Sequence, residues 1–416
     1  MAILPSLLVT LLGVLPIATM TVGGGSALFY LIFSLCLVRC FTREGGWQAT
    51  WRDLKDYTWV IAALLVSFCA IGLSQYAHGI THGPSLERGL RISLGFPIIL
   101  GALLSINPAT LRNASWGILV AGWVSACIVF WLVFPAWNRP NTPQYNAVTY
   151  SNLMLLWLFI TFCSMGWQLT KHPRLEKSVK ALTVIVVFAG FVLTQTRTGW
   201  MAIPLFLFVA MWLFGHLRHP FRAFGLLVAG VAILVAIGST NQALRTRVEQ
   251  GINEFQACQG ANATADTSVC IRLQLWRATS EMIEAEPIFG LGGTARFVPE
   301  LEARVATGVV SPFVAQDFGE PHNDMLQMLA SYGLLGGLAL ALLYFVPAGI
   351  FLRRMTATNP EPVRVAAAMG TALTLGFAIF GLTELMFRSM HNISLYVTLL
   401  AWLLVLSDKK RNSYTQ

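Results

Sequence analysis

Twelve long apolar stretches dominate this chain and leave room for only one kind of fold. They lie near 3–20, 24–40, 58–76, 92–107, 115–135, 150–170, 179–196, 199–217, 223–238, 325–352, 365–383 and 393–407. A helix needs about 20 apolar residues to cross a hydrocarbon core roughly 30 Å thick, and these runs are too long for strands of a barrel. Charged residues make up only 11% of the 416 positions, against roughly a quarter in soluble proteins. The sequence therefore predicts an all-α polytopic membrane protein with about twelve transmembrane helices.

One polar segment interrupts the apolar pattern and divides the chain into three parts. Residues 1–238 are predicted to form the first nine helices, and residues 322–416 the last three helices and a cytoplasmic tail. The insert between them, residues 239–321, is expected to be mostly helical and to cover the mouth of the bundle, because its apolar residues recur every three to four positions. These residues are Leu244, Val248, Ile252 and Phe255, and then Ile271, Leu275, Met282 and Ile283.

Basic residues are distributed unevenly between the two sides of the predicted bundle. With the N-terminus inside, and the first stretch retained as a span, the cytoplasmic segments carry 17 basic and six acidic residues. The opposite segments carry 11 basic and 13 acidic residues, so the net charge of +9 reflects topology and gives no support for nucleic-acid binding. All six lysines are cytoplasmic, and every basic residue outside is arginine. One guanidinium group can bind two phosphate oxygens at once, so the outer face is expected to bind phosphate or pyrophosphate. The alternative is that these arginines only extend to lipid headgroups.

His322 is the outer residue whose position best suits catalysis. Pro321 precedes it and an apolar helix follows, so the sequence places His322 in the first turn of that helix. The free N–H groups of a helix start bind anionic oxygens, and a neutral imidazole there can accept a proton. The alternative is a histidine that only caps the helix.

Several outer arginines are candidates for binding a substrate phosphate. Arg197 lies between two apolar stretches, where a charge is costly and usually functional. Its expected partner is Glu384, Asp324 or a ligand phosphate, and the alternative is a structural ion pair. Arg272 and Arg277 come from the insert, and one of them is expected to be a surface residue.

Other candidates lie on the same side of the membrane. Arg88 and Arg91 are three positions apart on one helix face and are expected to bind headgroups or a substrate phosphate. His391 is a further candidate for the site. Cys258 and Cys270 both lie in the insert and are expected to form a disulfide in an oxidising periplasm, with two free thiols as the alternative.

Absent motifs exclude several kinds of chemistry. The sequence has no Cys/His cluster with zinc spacing, no glycine-rich nucleotide loop and no dinucleotide fingerprint, so neither a metal site, a nucleotide nor another cofactor is expected. The first outer loop, residues 20–26, contains no carboxylate. Membrane glycosyltransferases that use a metal or a carboxylate base commonly have an acid there, so the sequence argues against that mechanism.

Three motifs in the second half of the chain resemble the O-antigen ligase/polymerase family, and the ligases above all. His322-Asn323, nine further residues and then Gly-Leu-Leu-Gly at 333–336 match the ligase pattern fully. Residues 196–200 (Thr-Arg-Thr-Gly-Trp) match the wider family. So do residues 272–276 (Arg-Leu-Gln-Leu-Trp), followed by the Pro-x-Phe-Gly-x-Gly motif at 287–292. The first half of the chain resembles the family only in its topology.

The resemblance implies a GT-C-like enzyme in the inner membrane of a Gram-negative bacterium, with its active site facing the periplasm. It implies a metal-independent, inverting transfer of a polysaccharide from undecaprenyl pyrophosphate to a hydroxyl of lipid A–core, among membrane lipids. By analogy His322 is the general base, and Arg197 and Arg272 hold the pyrophosphate. The candidate supporting residues are Asn323, Arg88, Arg91, Arg277 and His391.

Rival functions within and outside the family predict different features. An O-antigen polymerase extends the donor glycan, and a protein O-oligosaccharyltransferase glycosylates a protein and often carries an extra C-terminal region, whereas this chain stops soon after its last predicted span. A lipid flippase or ion-driven transporter should show charges near mid-membrane or broken helices in paired positions. The predicted spans are almost free of charge at their centres, and the polar groups gather on one face, which favours an interfacial enzyme.

Overall fold

A computed structural model of the protein describes residues 3–215 and 264–412, together with scattered positions between 222 and 258. The helices of the first part are α1 (Ile3–Thr21), α2 (Gly25–Thr42), α3 (Gly46–Leu54), α4 (Thr58–Ala77), α5 (Gly83–Leu90), α6 (Phe96–Leu103), α7 (Pro108–Arg112), α8 (Ser115–Val133), α9 (Ala147–Cys163), α10 (Pro173–Leu193) and α11 (Ile203–Leu213). Those of the second part are α12 (Ser268–Ala285), α13 (Phe297–Ala303), α14 (Pro312–Asp317), α15 (Asp324–Arg354), α16 (Glu361–Phe380), α17 (Met390–Leu406) and α18 (Lys409–Asn412). No β-strand occurs within these described ranges, and the all-α prediction is confirmed.

Seven helical segments of the described residues are long and apolar enough to cross a membrane. They are Ile3–Thr21, Gly25–Thr42, Gly46–Ala77, Pro108–Val133, Ala147–Gly166, Asp324–Arg354 and Glu361–Phe380. The apolar segments Thr198–Leu213 and Met390–Leu406 are shorter. Much of the predicted span at 223–238 lies outside the described residues, so the total of twelve stays a prediction. These spans make the chain a multi-pass membrane protein.

The helices α9 and α17 form the centre of the bundle. Nearly every residue of both helices is buried, and Trp157 and Trp402 are among the largest side chains that are fully enclosed. An apolar helix can also face lipid, but both of these helices carry polar side chains, such as Asn152 and Asn392, which would be costly against lipid and are buried inside the bundle. The helix α15 packs against α16 and α4 at the side of this core.

The described part of the insert has a hydrophobic core of its own. Ile271, Leu275 and Met282 of α12 are buried in it, and Ile283 packs at its edge. Their spacing is that of a helix face, so the helical prediction is confirmed for this half of the insert. The other predicted helix, with Leu244, Val248, Ile252 and Phe255, lies outside the described residues.

A break in α15 joins this insert to the bundle. Gly333 adopts φ +64° and ψ −158°, and the N–H of Leu334 turns outward to donate to the carbonyl of Pro287 at 2.8 Å. A Cβ atom at Gly333 would collide with the carbonyl of Ile288, and one at Gly290 would collide with the backbone of Gly333. Because Gly290 and Gly333 have no Cβ atoms, the insert backbone at residues 287–290 packs directly against the backbone of α15 and hydrogen-bonds to it at the break.

Candidate active site

His322 lies just before α15 and not inside its first turn, so this part of the sequence prediction is wrong. The helix begins at Asp324, and the side chain of Asn323 accepts a hydrogen bond from the N–H of Leu326 at 3.0 Å. Asparagine is one of the preferred N-cap residues because it satisfies a free N–H of the first turn. Asn323 thus does the capping and leaves the imidazole of His322 available for other contacts.

The loop that carries His322 is held from three directions. The Trp276 indole of α12 donates to the carbonyl of Pro321 at 2.9 Å, and the Asn323 amide donates to the carbonyl of Leu382 at 3.1 Å. The N–H of Asp324 donates to the carbonyl of Gly381 at 2.7 Å. His322 itself has φ +50°, in the left-handed region. Such a conformation costs free energy in a non-glycine residue and persists where surrounding contacts fix it, as these three do.

Two buried carboxylates face the Nδ1 atom of His322. Glu384 Oε1 lies 3.4 Å from it and Glu320 Oε1 lies 3.8 Å from it. Glu384 is itself oriented by the Asn146 amide at 3.1 Å and by the N–H of Leu385 at 3.2 Å. A carboxylate at Nδ1 selects the tautomer that carries its proton there and leaves Nε2 as an acceptor. Within the described residues, Nε2 has no hydrogen-bond partner.

The pKa values of Glu320 and Glu384 are shifted in opposite directions in the folded protein. Burial acts to raise the pKa of Glu384, but the hydrogen bond and charge of His322, together with the hydrogen bonds from Leu385 and Asn146, outweigh it, so the net shift is downward. Burial raises the pKa of Glu320, and its ion pair with Arg388 at 2.6 Å offsets this only in part. Glu384 is therefore the more strongly ionised of the pair and the better partner for an imidazolium.

The structure brings Arg197 and Arg272 together beside Glu384. Arg272 is half-buried on α12, one turn before Trp276, and Arg197 is exposed just before the short helical turn Thr198–Ala202. Burial lowers the pKa of Arg272, the charge of Glu384 opposes that shift, and the like charge of Arg197 adds to it. Two guanidinium groups whose charges act on each other favour the binding of an anion near both.

Arg91 and His391, by contrast, belong to a separate polar cluster, which we call the Arg91 cluster: Arg91, Glu87, Ser26, Ser394 and His391. Arg91 is buried in a π-helical turn, Arg91–Gly95, and its guanidinium donates to Glu87, Ser26 and Ser394 at 2.5–2.7 Å. His391 Nδ1 accepts from the N–H of Ser26 at 3.1 Å. Neither residue hydrogen-bonds to His322 or its carboxylates in the part of the chain that the structure describes.

The remaining predicted residues lie at other places. Arg277 donates to the carbonyl of Cys258 at 3.3 Å and borders an exposed groove on the insert. Cys258 and Cys270 form a disulfide, with their Cα atoms 5.3 Å apart. Arg88 is half-buried and lines a cavity that also contains Glu320.

Glu320, His322 and Glu384 are the one group of described residues close enough to hold a metal ion, with ligand atoms within 4.8 Å of one another. One histidine and two carboxylates are suitable ligands for a divalent cation. However, Arg388 already neutralises Glu320, and a cation on Nδ1 would have to displace the contact with Glu384. The group therefore fits an ion poorly while these contacts hold.

Sequence reasoning treated Glu384 only as a partner for Arg197 and gave Glu320 no role. The signal for Glu384 was nevertheless present, because it is a single carboxylate between apolar residues 376–387, where an ionised group is expensive unless it is paired. That it pairs with His322, 62 positions away, depends on the packing of the loop after α16 against the start of α15.

Comparison with known proteins agrees with the geometry. A family model described as O-antigen ligase matches residues 182–341, which include Arg197, Arg272, His322 and Gly333. An uncharacterised protein of Haemophilus influenzae is 22% identical over 288 residues, which cover 66% of this chain and 68% of that protein. Residues 182–341, which carry most of the candidate site, are therefore similar to the O-antigen ligase family.

Proposed function

We propose that this protein transfers a polysaccharide from undecaprenyl pyrophosphate to a hydroxyl of lipid A–core at the periplasmic face of the bacterial inner membrane. The observation that carries the proposal is the contact between His322 Nδ1 and Glu384, which leaves Nε2 free to act as a base. Its length of 3.4 Å is typical of a catalytic hydrogen bond that tightens only when substrate is bound. The pair of Arg197 and Arg272 supplies positive charge for the leaving group.

The reaction is a single displacement. His322 Nε2 takes the proton of the acceptor hydroxyl while its oxygen attacks the anomeric carbon, and the bond from that carbon to the pyrophosphate breaks. The pyrophosphate leaves with the bonding electrons, and the guanidinium groups of Arg197 and Arg272 stabilise its growing charge. Glu384 stabilises the imidazolium that forms. Attack from the side opposite the leaving group inverts the configuration of the anomeric carbon.

The test is a transfer assay with purified protein, lipid-linked glycan and lipid A–core, in which the product is identified by mass. We expect glycan attached to the core lipid, and a loss of about 10²- to 10⁴-fold in turnover for His322→Ala. The matched control is His391→Ala, which should keep its turnover because the His391 ring accepts from the N–H of Ser26 and belongs to the Arg91 cluster.

Three results would change the proposal. A His322→Ala variant as active as the wild type would exclude the histidine as a base. A glycan that lengthens without reaching core lipid would identify a polymerase, the second function the family allows. A loss of transfer on chelation that added Mg²⁺ or Mn²⁺ restores would assign the group of Glu320, His322 and Glu384 to a metal.

A further inference from the structure

A cavity of about 210 Å³ lies directly beside the His322 site, between α4, α15 and α17. Glu320 belongs to both, since it lines the cavity and lies 3.8 Å from His322 Nδ1. The charged residues Arg88, Arg388 and Glu320 line part of the cavity, and apolar residues, among them Leu340, Leu343 and Ile393, line the rest. A water molecule occupies roughly 30 Å³ in the liquid, so the space holds one charged group and a few carbons but no oligosaccharide.

Arg88 is the charged group of this cavity whose hydrogen bonds are incomplete. Its Nε atom is buried without a partner. The charge of the adjacent residue Glu87 interacts with Arg88, but no hydrogen bond joins the two among the described residues, and Glu87 Oε1 accepts instead from the Tyr30 hydroxyl at 2.6 Å and from Arg91. A buried guanidinium nitrogen without an acceptor is costly, and an anion that enters the cavity and accepts from it would remove that cost.

The carboxylates of the cavity are already occupied and do not take this role. Arg388 holds Glu320 at 2.6 Å. Asp324 accepts from the Tyr344 hydroxyl at 2.9 Å and from two backbone N–H groups of the loop after α16. Arg388 uses one nitrogen for Glu320, and its side chain is 65% exposed, so its other donors can turn towards a second anion.

We infer that this cavity binds a phosphate group of the acceptor glycolipid, and that Arg88, assisted by Arg388, is the residue that receives it. The inference rests on the proposed function. The charges of Glu384 and Arg197 act on Arg272, and Glu384 is the nearer carboxylate to His322 Nδ1. Arg388 forms an ion pair with Glu320, the second carboxylate at Nδ1, and Arg88 lines the same cavity as Glu320. Two separate arginine pairs suit a reaction in which both substrates carry phosphate. His322 then lies between the donor phosphates and the acceptor phosphate, where the hydroxyl must be activated.

The test compares two acceptors, lipid A–core and the same lipid after phosphatase treatment, with one donor. For Arg88→Gln we expect the KM of the phosphorylated acceptor to rise about tenfold to a hundredfold, as for the loss of a charged hydrogen bond, and the KM of the donor to stay unchanged. With the dephosphorylated acceptor, wild type and Arg88→Gln should behave alike. The control variant is Arg296→Gln, which removes an exposed arginine outside the cavity and should not change either KM.

A binding measurement separates this inference from the proposed function. Phosphorylated lipid A–core is titrated, without donor, into the inactive His322→Ala protein and into His322→Ala/Arg88→Gln. Weaker binding to the double variant supports the phosphate site even if the wild type transfers nothing. Equal binding overturns it, as does an Arg88→Gln effect on donor KM alone. Phosphatidylglycerol that competes as strongly as the acceptor would assign the cavity to a membrane phospholipid and would also overturn it.

Discussion

The His322 site and the Arg91 cluster are built from the same residue types and differ in how completely their hydrogen bonds are satisfied. Each contains a histidine, a glutamate and arginine. In the Arg91 cluster, all three guanidinium nitrogens have acceptors, and His391 Nδ1 is occupied by a backbone N–H. At the His322 site, the Nε2 atom has no partner among the described residues, and the charges of Glu384 and Arg197 both act on Arg272.

This difference shows which of two similar clusters can do chemistry. A satisfied buried network rigidifies the fold and has nothing left to offer a substrate. A site with open acceptors and clustered like charges is costly in the free protein, and a bound substrate can offset that cost. The two histidines are also expected to be opposite tautomers, since Nδ1 of His322 faces a carboxylate and Nδ1 of His391 faces an N–H donor.

Replacing one arginine from each region should separate activity from stability. Arg272→Gln is expected to lower transfer about 10²- to 10³-fold, because it removes a donor to the leaving pyrophosphate, and to leave the melting temperature nearly unchanged. Arg91→Gln should lower the free energy of unfolding by about 2–3 kcal/mol, because it leaves buried acceptors unpaired. Its turnover per folded molecule should match the wild type. A catalytic defect in Arg91→Gln without loss of stability would contradict the distinction.

Glu384 of the His322 site and Glu87 of the Arg91 cluster provide a second matched pair of variants. Glu384→Gln should reduce kcat about a hundredfold, because an amide can donate to Nδ1 and favour the tautomer whose Nε2 carries the proton. The KM of both substrates should change little, since Glu384 is expected to orient the base and not to bind substrate. Glu87→Gln should keep its kcat. Equal kcat for wild type and Glu384→Gln would show that His322 needs no orienting carboxylate.

Glu320 gives the smallest effect, and it depends on pH. Its pKa is raised in the folded protein by burial, so its ionised form is disfavoured there. The stability it contributes is present below the unfolded value of about 4.3 and is lost as pH rises through the folded value. Glu320→Gln should therefore melt above the wild type near pH 8, and this difference should shrink as pH falls towards 4. A variant that melts lower at pH 8 would show that the ion pair with Arg388 outweighs burial.

Much of the fold follows directly from the sequence. Apolar runs and turn signals predict the helices, and the spacing of Ile271, Leu275 and Met282 predicts the helix α12 with its buried face. The helix predictions succeed because they depend on local periodicity. The cost of a charge between apolar stretches also singles out Arg197, a helix start singles out His322 and the family resemblance singles out Arg272, and the roles of these three residues stay predictions.

The details that complete the site depend on long-range packing. Nothing local to Gly333 shows that α15 breaks there to admit the backbone of residues 287–293, and nothing local to Glu384 shows that it meets His322. Arg88 and Arg91 look equivalent in sequence. In the structure, Arg91 donates hydrogen bonds to side chains of α2 and α17, whereas Arg88 lines a cavity. Such differences arise only when distant helices come together.

The tautomer of His322 tests the central claim most directly. In protein labelled with ¹⁵N-histidine, the two signals can be assigned by difference with His322→Asn and His391→Asn. We predict that at a pH where His322 is neutral its Nε2 shows the chemical shift of an unprotonated ring nitrogen, and that in His391 this shift belongs to Nδ1. A proton on Nε2 of neutral His322 would contradict the account, because that atom could not accept a proton from the acceptor hydroxyl.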